Sequence, residues 1–90
     1  MLTEPCELLE HLISLPSVNP MGGKVDPDFC LEHRVTDFLI QWGRELGIEP
    51  IVQPISEHRS NVFLLWENLQ RPDGGLVMLD AHQDLSLIHI

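Results

Sequence analysis

Two residues near the carboxyl end of the chain have the types and spacing of a metal or acid–base site. His82 and Asp84 lie two positions apart in the stretch "LVMLDAHQD". A neutral histidine binds zinc through one ring nitrogen, and a carboxylate that accepts a hydrogen bond from the other ring N–H fixes the tautomer and raises ligand basicity. Alternatively, Asp84 would orient His82 as a general base. Because an isolated His-x-Asp pattern often arises by chance, its interpretation depends on the elements that position it.

The apolar run before this motif predicts a strand. Leu76–Leu79 contains no polar residue, which is typical of a strand buried on both faces of a sheet. Side chains alternate along a strand, so Asp80, His82 and Asp84 would share one face, at the carboxyl end where open α/β sheets bind ligands. Asp80 is the weaker candidate ligand, because a polar residue at the end of a buried strand more often caps a neighbouring N–H.

Two helices are predicted ahead of this strand. The first covers "TEPCELLEHLISL", with Thr3 as its cap and Pro5 in its first turn, and Pro16 ends it. The second covers "DPDFCLEHRVTDFLIQWGRELG", with Asp26 as its N-cap and Gly47 as the left-handed residue that ends it.

Two more strands follow the helices. "IEPIVQPI" and "NVFLLWEN" are expected to pair in antiparallel fashion across the turn "SEHRS", and Pro50 and Pro54 mark the first as an edge strand. The fold class predicted for the chain is therefore α/β: two N-terminal helices followed by three strands in a partial mixed sheet.

Charge and composition exclude several classes of partner. Among 90 residues, 14 acidic and five basic side chains give a net charge of −9, and no Lys/Arg cluster is present. Nucleic acid and anionic membrane surfaces are therefore not expected partners. The acidic N-terminus is unlike a signal peptide, and no stretch has transmembrane length, so the sequence predicts a cytoplasmic protein.

The remaining titratable side chains with metal-binding chemistry are expected to be structural or solvated. Cys6 and Cys30 are predicted to be buried free thiols on the apolar sides of the two helices. His11, His33 and His58 are predicted to be solvated, on helix surfaces or in a turn.

From Glu4 to Asp84 the chain resembles the N-terminus of the zinc-dependent aminoacylase and deacylase family of metallopeptidases. That family includes acetylornithine deacetylase, succinyl-diaminopimelate desuccinylase, glutamate carboxypeptidase and related dipeptidases. "LISLPSVNPMGG" is similar to the family's first helix and its Pro-Ser-x-Asn-Pro loop, and "VTDFLIQWGRELGIEPIVQPI" to its second helix, glycine stop and first strand. "NVFLL" is similar to the next strand, and "LVMLDAHQD" to the strand that delivers the family's His-x-Asp motif.

The resemblance implies that residues 1–84 are the N-terminal part of a two-zinc exopeptidase-type catalytic domain. His82 matches the first zinc ligand, and Asp84 matches the catalytic aspartate that orients this histidine and supports the base chemistry. Zinc is the usual metal, with cobalt and manganese as alternatives. The metals acidify a bridging water and polarise the scissile amide carbonyl of a small N-acyl amino acid or peptide. In the family a separate lid domain often forms a homodimer.

The other residues that the family requires lie downstream of His-x-Asp. They are a bridging aspartate, a glutamate pair, a further acidic ligand and a second histidine. A catalytic zinc normally has three protein ligands, so the 90-residue chain alone is predicted to bind zinc weakly and to hydrolyse nothing.

The resemblance ends at Leu85, and residues 85–90 read "LSLIHI". This hexapeptide is also the translation of CTG TCT CTT ATA CAC ATC, a transposon end used to make sequencing libraries. We therefore interpret residues 85–90 as a non-native tail, the alternative being a native continuation of the strand.

Two other functions are compatible with the sequence. One is a small acidic binding module in which His-x-Asp is incidental, and such a module would unfold cooperatively as a monomer. The other is a family relative that has lost its metals and binds acylated amino acids or a partner. A catalytic-domain fragment, by contrast, would expose unpaired apolar edges and associate.

Overall fold

The structure is a computed structural model that describes residues 2–66, 75 and 77–85. Its elements are helix α1 (Pro5–Ser14), helix α2 (His33–Glu45), strand β1 (Ile51–Ser56) and strand β2 (Arg59–Phe63). The two strands form an antiparallel sheet. The predicted order of two helices followed by an antiparallel pair is confirmed, and the described residues form a small α/β unit.

The third predicted strand does not form in the part of the chain that the structure describes. Residues 77–84 carry no strand pairing, and Val77, Met78 and Leu79 are 83%, 74% and 94% exposed. Leu76 lies outside the described residues. An extended segment becomes a strand only when a neighbour supplies partners for its N–H and C=O groups. Among the described residues, β1 and β2 pair only with each other. The prediction of a buried central strand is therefore wrong for these residues.

Helix α1 begins and ends close to the prediction. Its N-cap is Glu4 rather than Thr3, and Glu4 makes no side-chain capping bond. Pro5 is in the first turn, where its missing N–H costs nothing. Leu15 is extended ahead of Pro16, so the helix stops where the proline ring would clash with further helical backbone.

Helix α2 begins seven residues later than the cap predicted at Asp26. The residues between are held by other partners: Val18 N–H donates to Phe29 O at 2.8 Å, and Leu31 N–H donates to Val18 O at 2.9 Å. Leu31 also has a φ of 72°, in the left-handed region, which interrupts a right-handed helix. The long-range pairing of Val18 with Cys30 thus overrides the local helix signal.

The carboxyl end of α2 follows the prediction closely. Gly47 has a φ of 82°, and its N–H donates to Arg44 O at 3.0 Å. Ile48 N–H donates to Gly43 O at 2.9 Å. These two bonds form a Schellman motif, which satisfies carbonyl groups at the helix end and directs the chain into β1.

A small buried cluster joins the loop after α1 to α2. Val18, Cys30 and Val35 are 3%, 6% and 4% exposed, and the polar residues Ser17 and Thr36 are buried beside them. The predicted burial of Cys30 is confirmed, although it lies ahead of α2 rather than within it. Both cysteines are free thiols, as predicted.

Cys6 is exposed, so the prediction that both thiols are buried is wrong for this residue. It lies in the first turn of α1, a helix with no fully buried residue. The face of α1 that carries Leu9 and Ile13 is also partly open, with these side chains 57% and 48% exposed. The amphipathic pattern of α1 therefore predicted a helix correctly but overstated its burial.

Candidate functional site

Backbone hydrogen bonds hold the segment that carries His82 and Asp84 against the loop after α1. Leu85 N–H donates to Ser17 O at 2.9 Å, and Asn19 N–H donates to Leu85 O at 2.8 Å. These bonds make a parallel bridge between Leu85 and Val18. Val18 therefore lies between two partners, with Cys30 on one side and Leu85 on the other. Leu85 thus fixes the end of the segment, and residues 86–90, the remainder of the suspected tail, lie outside the described residues.

Asp84 orients the ring of His82. Its Nδ1 atom is 2.8 Å from the backbone carbonyl oxygen of Asp84 and 3.2 Å from Oδ1 of the same residue. Both partners are acceptors, so Nδ1 must be the ring nitrogen that carries the proton. In the neutral ring, Nε2 then carries the lone pair that can bind a metal or a proton. The side chain is 80% exposed, so a ligand can reach it.

The Asp84 carboxylate is held from two sides. Oδ1 faces His82, and Oδ2 accepts a hydrogen bond of 2.8 Å from Asn19 Nδ2. The bond from Asn19 is the main reason why the pKa of Asp84 lies below its usual value, and partial burial opposes this shift. The backbone N–H of Asp84 and the nearby His82 ring lower the pKa further. Asp84 therefore stays ionised as an acceptor for the His82 ring.

Asn19 belongs to the site, although the sequence indicated no role for it. Its Oδ1 accepts a hydrogen bond of 2.9 Å from Met21 N–H, which leaves Nδ2 to face Asp84. The amide orientation follows from these partners, since a backbone N–H only donates and a carboxylate only accepts. The family resemblance places the loop "PSVNPMGG" near the site without giving it a role, and its local spacing signals a turn and no contact 65 residues away.

The side chain of Gln83 bonds to other elements through both ends of its amide. Thr36, on α2, donates its hydroxyl to Gln83 Oε1 at 2.8 Å. Gln83 Nε2 donates to the backbone carbonyl of Ser60, on β2, at 3.0 Å. The His-x-Asp segment is therefore attached to a helix and to a strand through its middle residue.

An open cleft of about 590 Å³ lies between the hairpin and the His-x-Asp segment. Asp80, His82 and Asp84 line it, and so do Ala81 and Gln83, so the cleft lining does not single out one face of the segment. They are joined there by residues of other elements, which are Glu32, Ile55, Arg59, Ser60 and Asn61. The cleft is large enough for a small ligand beside the exposed His82 ring.

Of the three histidines predicted to be solvated, His11 and His33 are half-buried, so the prediction is wrong for them, whereas His58 is exposed in the turn, as predicted. Each of the three lies against another ring. The His11 and Phe38 ring centroids are 4.5 Å apart, and those of His33 and His58 are 4.6 Å apart. Burial of His33 lowers its pKa, and the positive charge of Arg34 and the neighbouring His58 lower it further. These contacts hold the helices and the hairpin together, and none of them involves His82.

The described residues do not bring together a complete metal site. Within residues 2–66, 75 and 77–85, no three His, Cys, Asp or Glu side chains are grouped so that they could hold a metal ion. The one good ligand in this arrangement is His82 Nε2, and the other ring nitrogen, Nδ1, is held by Asp84. It fits a partial site, and a tightly held ion would need further ligands.

Comparisons with protein-family models, curated proteins and solved structures found no match to this chain. The family resemblance therefore rests on the motifs and their order. In the described part of the chain, no helix combines the length and apolarity needed to cross a bilayer.

Proposed function

We propose that this chain is the N-terminal part of the catalytic domain of a metal-dependent amidohydrolase or peptidase. Its substrate would be a small N-acyl amino acid or peptide, its cofactor two zinc ions, and its compartment the cytoplasm. The observation that carries the proposal is the His82–Asp84 contact. An ionised aspartate on Nδ1 and an Nε2 lone pair on an exposed ring are what a zinc-binding histidine requires.

The roles of the two residues follow from this geometry. His82 would bind one metal through Nε2. Asp84 would hold the ring in that tautomer and increase the electron density on Nε2 by accepting the Nδ1 proton in a hydrogen bond. Bound zinc would supply a water of lowered pKa and polarise the scissile carbonyl. The cleft beside His82 would receive the substrate.

The exposed apolar residues support a catalytic-domain fragment over a self-contained module. Val77, Met78 and Leu79 lie directly before the site and are almost fully exposed. A stable small module would bury such a run against its own core. In the proposed complete domain they would lie in a central strand with neighbours on both sides.

Zinc titration of the ¹⁵N-labelled chain tests the role of His82. We expect binding weaker than micromolar, because one strong ligand is present, with the His82 ring nitrogens showing the largest shift. His82→Gln should abolish the effect, whereas His11→Gln, which removes a histidine packed on Phe38, should leave it intact. Equal shifts at all histidines, or none at His82, would contradict the assignment.

Sequencing the gene beyond the codon for Asp84 from an intact template, without transposon-made libraries, tests the family assignment. The proposal requires an aspartate, a glutamate pair and a later histidine in the same frame. A frame that stops after Ile90 would remove the catalytic interpretation of this chain and favour the binding module.

A further inference from the structure

The Gln83 side chain connects the His-x-Asp segment to two elements that are distant in sequence. It accepts from Thr36 on α2 and donates to Ser60 O on β2. The Ser60 carbonyl can only accept, so Nε2 of Gln83 must face it and Oε1 must face Thr36. The Thr36 hydroxyl then has to act as the donor. Each partner therefore has a defined role, and the amide has a single orientation.

Burial makes the Thr36 end of this connection costly to break. Thr36 is 6% exposed, in the middle of the buried cluster beside Val35. A buried hydroxyl without a hydrogen-bond partner is unfavourable, so the bond to Gln83 is strongly favoured. The residues before the site, 77–81, are exposed and form no strand. The hydrogen bonds of Gln83 thus connect the site to the core, in addition to the bond from Asn19 to Asp84 and the backbone bonds of Leu85.

The backbone conformation at Gln83 sets the position of the Asp84 carbonyl oxygen, which accepts a hydrogen bond from His82 Nδ1. His82 Nδ1 reaches the backbone carbonyl of Asp84 at 2.8 Å, and this contact closes a turn with Gln83 at its centre. A displacement of Gln83 moves the peptide groups on both of its sides. The ring then loses the closer of its two acceptors on Asp84, the backbone carbonyl, which helps to select its tautomer.

We propose that Gln83, held by Thr36, is a positioning residue that sets the tautomer of His82 for ligand binding. This inference rests on the proposed role of His82 as a ligand. It adds that the middle residue of the motif orients the histidine through its hydrogen bonds to α2 and β2.

The tautomer can be read without metal, in two-bond ¹H–¹⁵N correlation spectra of the histidine rings of the full chain. At about pH 8.5 imidazole rings are neutral, so the spectra report which nitrogen carries the proton. We expect His82 in the native chain to carry it on Nδ1. Thr36→Val, which keeps the shape and removes the donor, should lower the ratio of the Nδ1–H to the Nε2–H form at least about twofold. Thr36→Ser should restore it.

A second variant separates this effect from damage to the core. Gln83→Met removes both hydrogen bonds from a half-buried position outside the buried cluster, and it should cause the same change in tautomer. An unchanged tautomer in either Thr36→Val or Gln83→Met would overturn the inference. Because no zinc is used, failure of the zinc titration would refute the proposed function without affecting this result.

Discussion

Asn19 is the residue whose hydrogen bond most strongly favours the ionised form of Asp84. Asn19→Asp keeps the shape of the side chain and the acceptor for Met21 N–H, but it replaces the donor 2.8 Å from Asp84 Oδ2 by a second carboxylate. Two adjacent carboxylates resist ionising together, so we expect the pKa of Asp84 to rise. Carboxyl ¹³C NMR over a pH series measures it.

The matched control is Gln41→Glu, which adds the same charge at an exposed position on α2. It should leave the pKa of Asp84 nearly unchanged, because exposed charges are strongly screened by solvent and salt. A pKa of Asp84 that moves equally in both variants would show that net charge, and not the bond from Asn19, controls this carboxyl group.

His33 should make the fold less stable in mild acid. Its pKa is lower in the folded chain than its usual value, mainly because burial disfavours the charged ring. The unfolded chain therefore binds more protons as the pH falls, and the free energy of unfolding falls between the unfolded and folded pKa values. Above the unfolded-state pKa of about 6.5, the fold keeps all of the stability that depends on a neutral His33 ring.

Denaturant unfolding at about pH 7.5 and pH 5.5 measures this loss of stability. His33→Gln should reduce the difference between the two pH values, because glutamine does not titrate. If the free energy of unfolding of His33→Gln depended on pH as strongly as that of the native chain, other titrating groups would be responsible. The His33 Nδ1 atom is buried without a hydrogen-bond partner among the described residues, which agrees with a ring kept neutral.

The residues of the site differ in how far the sequence could identify them. His82 and Asp84 are adjacent in the chain and form a recognisable pattern, and the structure brings their side chains into contact. Asn19 and Thr36 lie 65 and 47 residues from their partners. Such contacts depend on how the loop and α2 pack, which no local spacing encodes.

At the scale of elements, Gly43 shows how closely α2 approaches the hairpin. A Cβ atom at this buried glycine would lie 2.8 Å from Leu64 Cδ2 and 3.0 Å from Pro50 Cγ. Alanine would add about 1 kcal/mol of helix propensity, but the proline ring cannot move freely, and overpacking costs about 1–3 kcal/mol. We expect Gly43→Ala to lower the free energy of unfolding by up to about 2 kcal/mol, measured by urea unfolding.

Gln41→Ala is the control for this prediction. It changes an exposed position on the same helix, where propensity alone acts, and should shift the free energy of unfolding by about 0.5 kcal/mol or less. Stabilisation by Gly43→Ala would mean that Leu64 moves aside at little cost and that close packing is not why this position is glycine.

Elements that depend on neighbouring residues were predicted well, and those that depend on distant partners were not. The end of α2 at Gly47 and the antiparallel hairpin follow from local signals. The start of α2 was predicted too early because Cys30 pairs with Val18 instead of joining the helix. The third strand needed partners that β1 and β2 do not provide.

For the molecule as a whole, the exposed apolar run Val77–Leu79 should drive self-association. It borders a second, more apolar groove of about 320 Å³ that also includes Phe63 and Leu65. Contiguous apolar patches on small proteins promote association. Leu79→Glu, at a residue that is 94% exposed, should shift the chain towards monomer, as measured by sedimentation velocity over a concentration series.

Met21→Gln is the matched control, because Met21 is 82% exposed but lies in the loop after α1. It should leave the association constant unchanged. Equal effects of the two substitutions would point to general solubility, and no effect of either would mean that Val77–Leu79 is not an association surface.

The bond between Asn19 and Asp84 joins residues 65 positions apart, so it also sets the order in which the molecule can assemble. Helices and hairpins form from neighbouring residues within microseconds, whereas a contact of this span must first overcome the entropy of closing a long loop. During synthesis, the loop after α1 emerges well before Asp84 does. The site is therefore a late product of folding, and the helices and hairpin can form before His82 has a fixed orientation.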